Sequence, residues 1–287
     1  TARPPRGALF FARRFCRPCF ACLAPRRVAR LVRVSASVYS HLEHQEVRVK
    51  LDSELKALAT GMGAALFGVA DLAGARDAIA AQGGEAVAAW PRAVSFAVRL
   101  IDGTVDEIRR HEDPVAIRTY RGLYDIANRT LDSISLAVAR RIEQAGFRAW
   151  PVFNIIMDRD KLVGSISHKL AAHLAGLGWI GRSCLLITPE HGPRVRLGTV
   201  LTDAPLAAGT PLPEQCGDCR DCVDICPPKA FTGARFVESQ PREARYDAHL
   251  CDRYMEGRRD RVGESLCGLC VYVCPHGRKR EAAGSRA

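Results

Sequence analysis

Four cysteines at short fixed intervals, Cys216, Cys219, Cys222 and Cys226 followed by Pro227, constrain this chain more than any other feature. Closely spaced thiolates on a tight loop hold three corners of an iron–sulfur cube. The fourth, ahead of proline, starts a helix that leads to a second cluster. A later run, Cys267, Cys270 and Cys274 before Pro275, repeats the ending, and Cys251 stands alone between the two. Under this crossing rule cluster one takes Cys216, Cys219, Cys222 and Cys274. Cluster two takes Cys226, Cys251, Cys267 and Cys270, so eight ligands serve two [4Fe–4S] cubes. Zinc also uses paired C-x2-C motifs, but it accounts for neither the triple cysteine nor the two Cys-Pro endings. Disulfides are disfavoured without an export signal. Cys184 is isolated, and a small buried residue is its default role.

The net charge of +11 suggests nucleic acid until it is located. Nine arginines lie in residues 1–33, and the first acidic residue is Glu43, so the rest of the chain is near neutral. Residues 1–45 therefore read as an Arg-rich disordered leader or as sequence upstream of the true start, with a faint likeness to an organelle transit peptide. Cys16, Cys19 and Cys22 imitate the cluster spacing there but lack a Cys-Pro ending, and are taken as incidental. No apolar stretch approaches the roughly 20 residues of a spanning helix, which excludes a transmembrane helix. Phosphate contacts need clustered cations. The body offers Arg109-Arg110, Arg140-Arg141, Arg258-Arg259-Arg261 and Arg278-Lys279-Arg280, and the last two groups flank the cysteines.

Apolar periodicity predicts helices over 47–61, 73–81, 119–146 and 165–176, the last capped by Ser165 or Ser167. Short apolar runs at 65–70, 93–101, 147–153 and 195–203 predict strands. The expected fold class is α+β: an α/β cofactor and substrate domain over 46–206, a ferredoxin-type dicluster domain over 207–278, and a tail over 279–287. Between the two, residues 174–182 end a helix and enter a loop with three glycines. By chemistry alone this is a backbone that approaches a flat ligand closely, or a tight helix-to-strand turn.

The run Leu174 to Arg182, then Leu185 to Pro189, Arg194 to Asp203, and the cysteine module resemble the epoxyqueuosine reductase family over roughly residues 48–278. These are cobalamin-dependent iron–sulfur enzymes of tRNA modification, related to reductive dehalogenases. Cys251-Asp252-Arg253-Tyr254 occupies the place of the family's lone cysteine. The resemblance implies an oxidoreductase that reduces epoxyqueuosine to queuosine in tRNA. Base-off cobalamin would be held by His168, Gly178, Trp179, Gly181, Thr202 and Arg253, and two cubes would be fed by a flavodoxin- or ferredoxin-type donor. The cofactor does the hard chemistry while the protein positions it and supplies protons. The family's proton-donating Asp sits in an Asp-Ser-Ala-Pro-like stretch upstream of the glycine-tryptophan loop. Here the corresponding stretch, 157–168, has no proline, and Asp160 is the nearest candidate with Asp158 second. The chain stops shortly after Cys274, without the helical repeats that longer members carry. Two alternatives follow: a corrinoid-using or corrinoid-activating reductase with a non-tRNA substrate, and a ferredoxin-type electron carrier. A cytoplasmic monomer with tRNA as a candidate partner completes the expectation.

Overall fold

The computed structural model describes residues 49–154 and 158–278. The basic leader with Cys16, Cys19 and Cys22 lies outside them, as do Lys279 and Arg280. The central element is a four-stranded sheet of β1 (Leu66–Asp71), β2 (Arg92–Arg99), β3 (Ala149–Val152) and β6 (Val195–Thr202). Its order is β1-β2-β6-β3, and every pairing is antiparallel. The mixed architecture is therefore α+β in the strict sense, with no parallel βαβ crossover within this sheet.

The two central strands are buried on both faces, and the pleat divides their side chains between two cores. Ala93 and Ala97 of β2 and Leu197 and Leu201 of β6 face one core with Leu72, Ile79, Ala171 and Ala172. Val94 and Phe96 face the other with Leu55, Leu131, Ile134 and Val138. Period-two alternation produces this division. The first face packs α2 (Arg76–Gly83), α3 (Glu85–Ala88) and α6 (His168–Leu174). The second packs α1, the helix described from residue 49 to 61, and α5 (Pro114–Gln144). Gly198 of β6 is needed because a Cβ there would lie 2.4 Å from the Phe96 ring.

The helix predicted from residue 119 begins five residues earlier. Asp113 caps it by accepting from the Val115 amide at 2.8 Å, and Pro114 takes the first helical position, where a missing N–H costs nothing. Of the two candidate caps for α6, Ser167 serves, accepting from the Leu170 amide at 3.2 Å. The glycine-tryptophan stretch contains a strand that periodicity could not reveal. β4 (Trp179–Ile180) pairs with β5 (Leu186–Ile187), two residues each. The cysteine-rich end is built of short pieces: α7 (Asp221–Asp224), α8 (Ala248–Glu256), α9 (Arg259–Val262) and α10 (Leu269–Val273). Preceding them along the chain, α4 (Asp102–Asp106) packs near α10 through a shared cluster of Leu100, Val105, Ile108 and Leu269.

Candidate functional site

The eight cysteines of the dicluster pattern gather into two groups. Cys216, Cys219, Cys222 and Cys274 line one small cavity together with Arg182, Ser183, Ile187, Pro275 and His276. The tight turn that starts the set is closed by the Cys219 amide donating to the Cys216 carbonyl at 3.0 Å. Cys226, Cys251 and Cys270 pack together with Val223 and Phe231. Burial raises the Cys267 thiol, and Cys251 and Cys226 lie near enough to raise it further. Cys222 packs against this second group as well, so all eight cysteines lie close together.

Buried thiols crowded on one another resist ionisation. Burial, then the neighbouring Cys216 and Cys219, pushes Cys222 up to about 11. Burial with Cys216 and Cys222 does the same to Cys274. Cys270 is pushed up by burial and by Cys267, Cys251, Cys222 and Cys226. A cationic iron–sulfur core reverses this penalty, since coordination deprotonates a thiol outright. Among the described residues no three His, Cys, Asp or Glu side chains converge to hold a single ion. Cys216, Cys219, Cys222 and Cys274 instead border a shared void, and this four-thiol donor set fits a cube.

The glycine-tryptophan hairpin serves the cysteine side. Trp179 is 1% exposed and donates its indole N–H to Cys216 Sγ at 3.5 Å. The His276 ring stands edge-on to it at 5.0 Å. Gly181 allows this approach, because a Cβ there would meet Ile187 at 2.8 Å and Cys216 Sγ at 3.2 Å. Gly178 packs backbone to backbone on Ile187, whose carbonyl would lie 2.2 Å from an added Cβ. Hydrogen bonds to cluster sulfurs tune reduction potentials, and Trp179 is set to do so.

A second, larger cavity of about 600 Å³ opens on the side of the sheet. This is an ordinary volume for a small-molecule site. Its apolar floor is Val152, Ile166, Leu185, Leu186, Val195 and Leu197. Its polar rim comes from α5 (Arg121, Tyr124, Asp125, Asn128), from His168 and Lys169 on α6, from Arg196 on β6, and from Arg242. Arg196 donates to Asn128 Oδ1 at 3.1 Å and lies 3.9 Å above the Tyr124 ring. Phe153, 41% exposed, stands at the mouth.

Of the six residues expected to hold cobalamin, His168 alone lines this cavity. Its Nδ1 is 2.8 Å from Thr199 Oγ1, and the ring also bonds the Phe153 backbone. Burial, with Arg196 and Lys169 adding to it, depresses its pKa to about 4, so the imidazole is neutral. Trp179 and Gly181 border Cys216 instead, and Gly178 packs on Ile187 and Thr188. Thr202 is buried at the end of β6, donating to the Arg148 carbonyl, and Arg253 is exposed on α8. Asp158 accepts from the Lys161 amide at 2.9 Å and sits 3.8 Å from its ammonium. Asp160 is exposed on the same turn. Neither aspartate lines the cavity, although Leu162, Val163 and Gly164, just after them, do.

The candidate arginine rim is largely occupied. Arg258 is fully buried and held by Glu112, His111 and Leu266. Arg259 pairs with Glu256, and Arg110 with Glu107 and Asp113. Arg278 lies over the Tyr272 ring.

Residues 215–277 match the family of 4Fe–4S double cluster binding domains. The epoxyqueuosine reductase of Bacillus anthracis is 36% identical over 122 residues, which is 39% of this chain and 30% of the relative. The chain's sequence relatives are epoxyqueuosine reductases. The matched stretch spans less than a third of that relative's length. The fold is shared with a catabolic reductive dehalogenase solved with 3-bromo-4-hydroxybenzoic acid, at TM-score 0.58 and 21% identity, covering 78% of this chain and 31% of that one. It is shared too with the epoxyqueuosine reductase of Bacillus subtilis, solved with its catalytic loop swung out of the active site. There the TM-score is 0.52 and the identity 18%, covering 82% of this chain and 67% of that one. Among the described residues no helix is long and apolar enough to cross a membrane.

Proposed function

We propose that this protein is a cobalamin-dependent iron–sulfur reductase that removes the epoxide oxygen of epoxyqueuosine, the reaction its sequence relatives are named for. In this reading residues 46–206 hold cofactor and substrate and residues 207–278 deliver electrons. One observation carries it. Tyr120 of α5 packs in the same apolar cluster as Cys267 and Cys270, and Tyr124, one turn on, lines the large cavity. In this reading the inner cluster would back onto the cofactor wall, and the exposed Gly217 and Asp218 would offer the outer cluster's loop to a flavodoxin- or ferredoxin-type donor.

The cavity suits a corrinoid in its chemistry: an apolar floor, polar groups at the rim, and a His168 imidazole already bonded through Nδ1 to Thr199. Bound there, cobalamin supplies a strongly reducing metal centre that accepts electrons singly and acts on the substrate with two. The chain's own residues do the rest. Tyr124 and Leu186 face the ligand, the floor excludes water, and Asp160 or Asp158, on the turn just before the lining residues Leu162 to Gly164, would have to move in to serve as proton source. His168 would orient the floor through Thr199. A thiol-rich centre of this kind belongs in a reducing cytoplasm.

The test is anaerobic. Reconstituted protein with cobalamin and a low-potential electron donor should convert an epoxyqueuosine-bearing anticodon stem-loop to queuosine. Protein with both clusters reducible and cobalamin bound, yet inert on that RNA, would sink the reading. The second reading, a corrinoid-using reductase with a non-tRNA substrate, is favoured by the distance of both aspartates from the cavity lining.

A further inference from the structure

The charged groups on the cavity rim are not equally engaged. Arg121 is paired with Glu264 at 3.2 Å and Asp125 at 3.8 Å. Arg242 meets Glu243 at 2.8 Å and the carbonyls of Lys161 and Leu162. Lys169 has neither a carboxylate nor a hydrogen-bond partner among the described residues, and Arg196 has only Asn128 and the Tyr124 ring. Two cations without counter-charges therefore face one cavity with an apolar floor. Burial lowers the Lys169 pKa, Cys184 opposes, and Arg242, Arg245 and Arg196 lower it further. Like charges held in a partly desolvated wall destabilise the empty protein, and a bound oxyanion relieves the repulsion.

We propose that Lys169 and Arg196 form an oxyanion-binding pair that takes the carboxylate or phosphate group of a small organic substrate in this cavity. The inference rests on the reading of the cavity as the reaction chamber, and it specifies what enters. Arg196 is pre-oriented for it, because Asn128 and Tyr124 fix its guanidinium plane, and a planar fork suits a carboxylate or phosphate edge. Lys169 adds a compact charge from the adjacent wall. The pair lies inside a cavity of small-molecule size. Phosphate backbones are instead gripped by exposed clusters of free cations. On this chain Arg110, Arg148 and Arg259 are exposed but already paired with carboxylates. The pair is accordingly suited to a single oxyanion group of a ligand inside the cavity.

Isothermal titration of the full cluster-loaded chain tests the pair with benzoate, phenyl phosphate and the neutral isostere benzamide. At least one anion should bind at least about tenfold more tightly than benzamide, as expected for charge-assisted hydrogen bonds. Lys169→Gln and Arg196→Gln should each weaken it by about tenfold or more. Lys169→Arg, which keeps the charge, should stay within about threefold. Comparing benzoate with phenyl phosphate identifies which oxyanion the pair prefers. Benzamide binding as well as benzoate would overturn the inference. So would anion binding indifferent to both Gln variants, or binding of an RNA stem-loop alone that Lys169→Gln leaves unchanged. Anion binding without epoxyqueuosine turnover leaves this pair standing and removes the epoxyqueuosine reading. Turnover without anion binding does the reverse.

Discussion

The large cavity is walled by a 31-residue helix and an eight-residue strand of a four-stranded antiparallel sheet, while the cysteine cavity is walled by loops and helices of four and five residues. The first stands on two continuous apolar cores that need no ligand to exist. The second encloses mutually repelling thiols, with only small apolar clusters around them. Short helices have little stability of their own. One region is therefore a scaffold that receives its ligand, and the other acquires order from its inorganic core.

The largest expected effect follows from that contrast. Stripping iron with a chelator should collapse amide protection across 216–277 while β2 and β6 keep theirs, read by hydrogen exchange. Uniform loss, or uniform retention, breaks the comparison. On the scaffold side, Phe96→Ala should destabilise the protein by about 4 kcal/mol in chemical denaturation, since it empties a fully buried site between β6 and α5.

Acidification probes the scaffold in a different way. His168 is neutral when folded, with its pKa near 4, and protonates near 6.5 when unfolded. Between those values the unfolded chain binds more protons, so stability is full above about pH 6.5 and falls as pH drops toward 4, by up to about 3 kcal/mol. Denaturant midpoints across this range should decline for the native chain and flatten in His168→Gln. The smallest effect is at the α6 cap, where Ser167→Ala should cost about 1 kcal/mol while leaving cluster content unchanged.

Cys216, Cys219 and Cys222, and likewise Cys267 and Cys270, were legible because spacings of two residues convert directly into a loop, while Cys274, Cys226 and Cys251 are placed in their sets by the crossing rule and not by local spacing. The strands were legible as apolar runs, and α6 as a periodic one. The start of α5 carried a readable Asp-Pro signature at 113–114 that the apolar period alone passes over. The β4–β5 hairpin was not legible, because two residues carry no period. The cavity rim was hidden for another reason. Tyr124, Lys169, Arg196 and Arg242 come from four separated segments, and only the assembled fold brings them to one cavity. The nearest signal was the polar line Arg121, Tyr124, Asp125 and Asn128, at helical spacing in an otherwise apolar-faced helix. Trp179 was expected to contact cobalamin, whereas its contact is with a cysteine sulfur.

Cobalamin binding to the anaerobically reconstituted full chain tests the central claim most directly, with iron measured on the same sample. The account predicts about eight iron atoms and one cobalamin retained per chain, with the corrinoid spectrum changing when the clusters are reduced. A chain that carries both clusters and retains no cobalamin would contradict it.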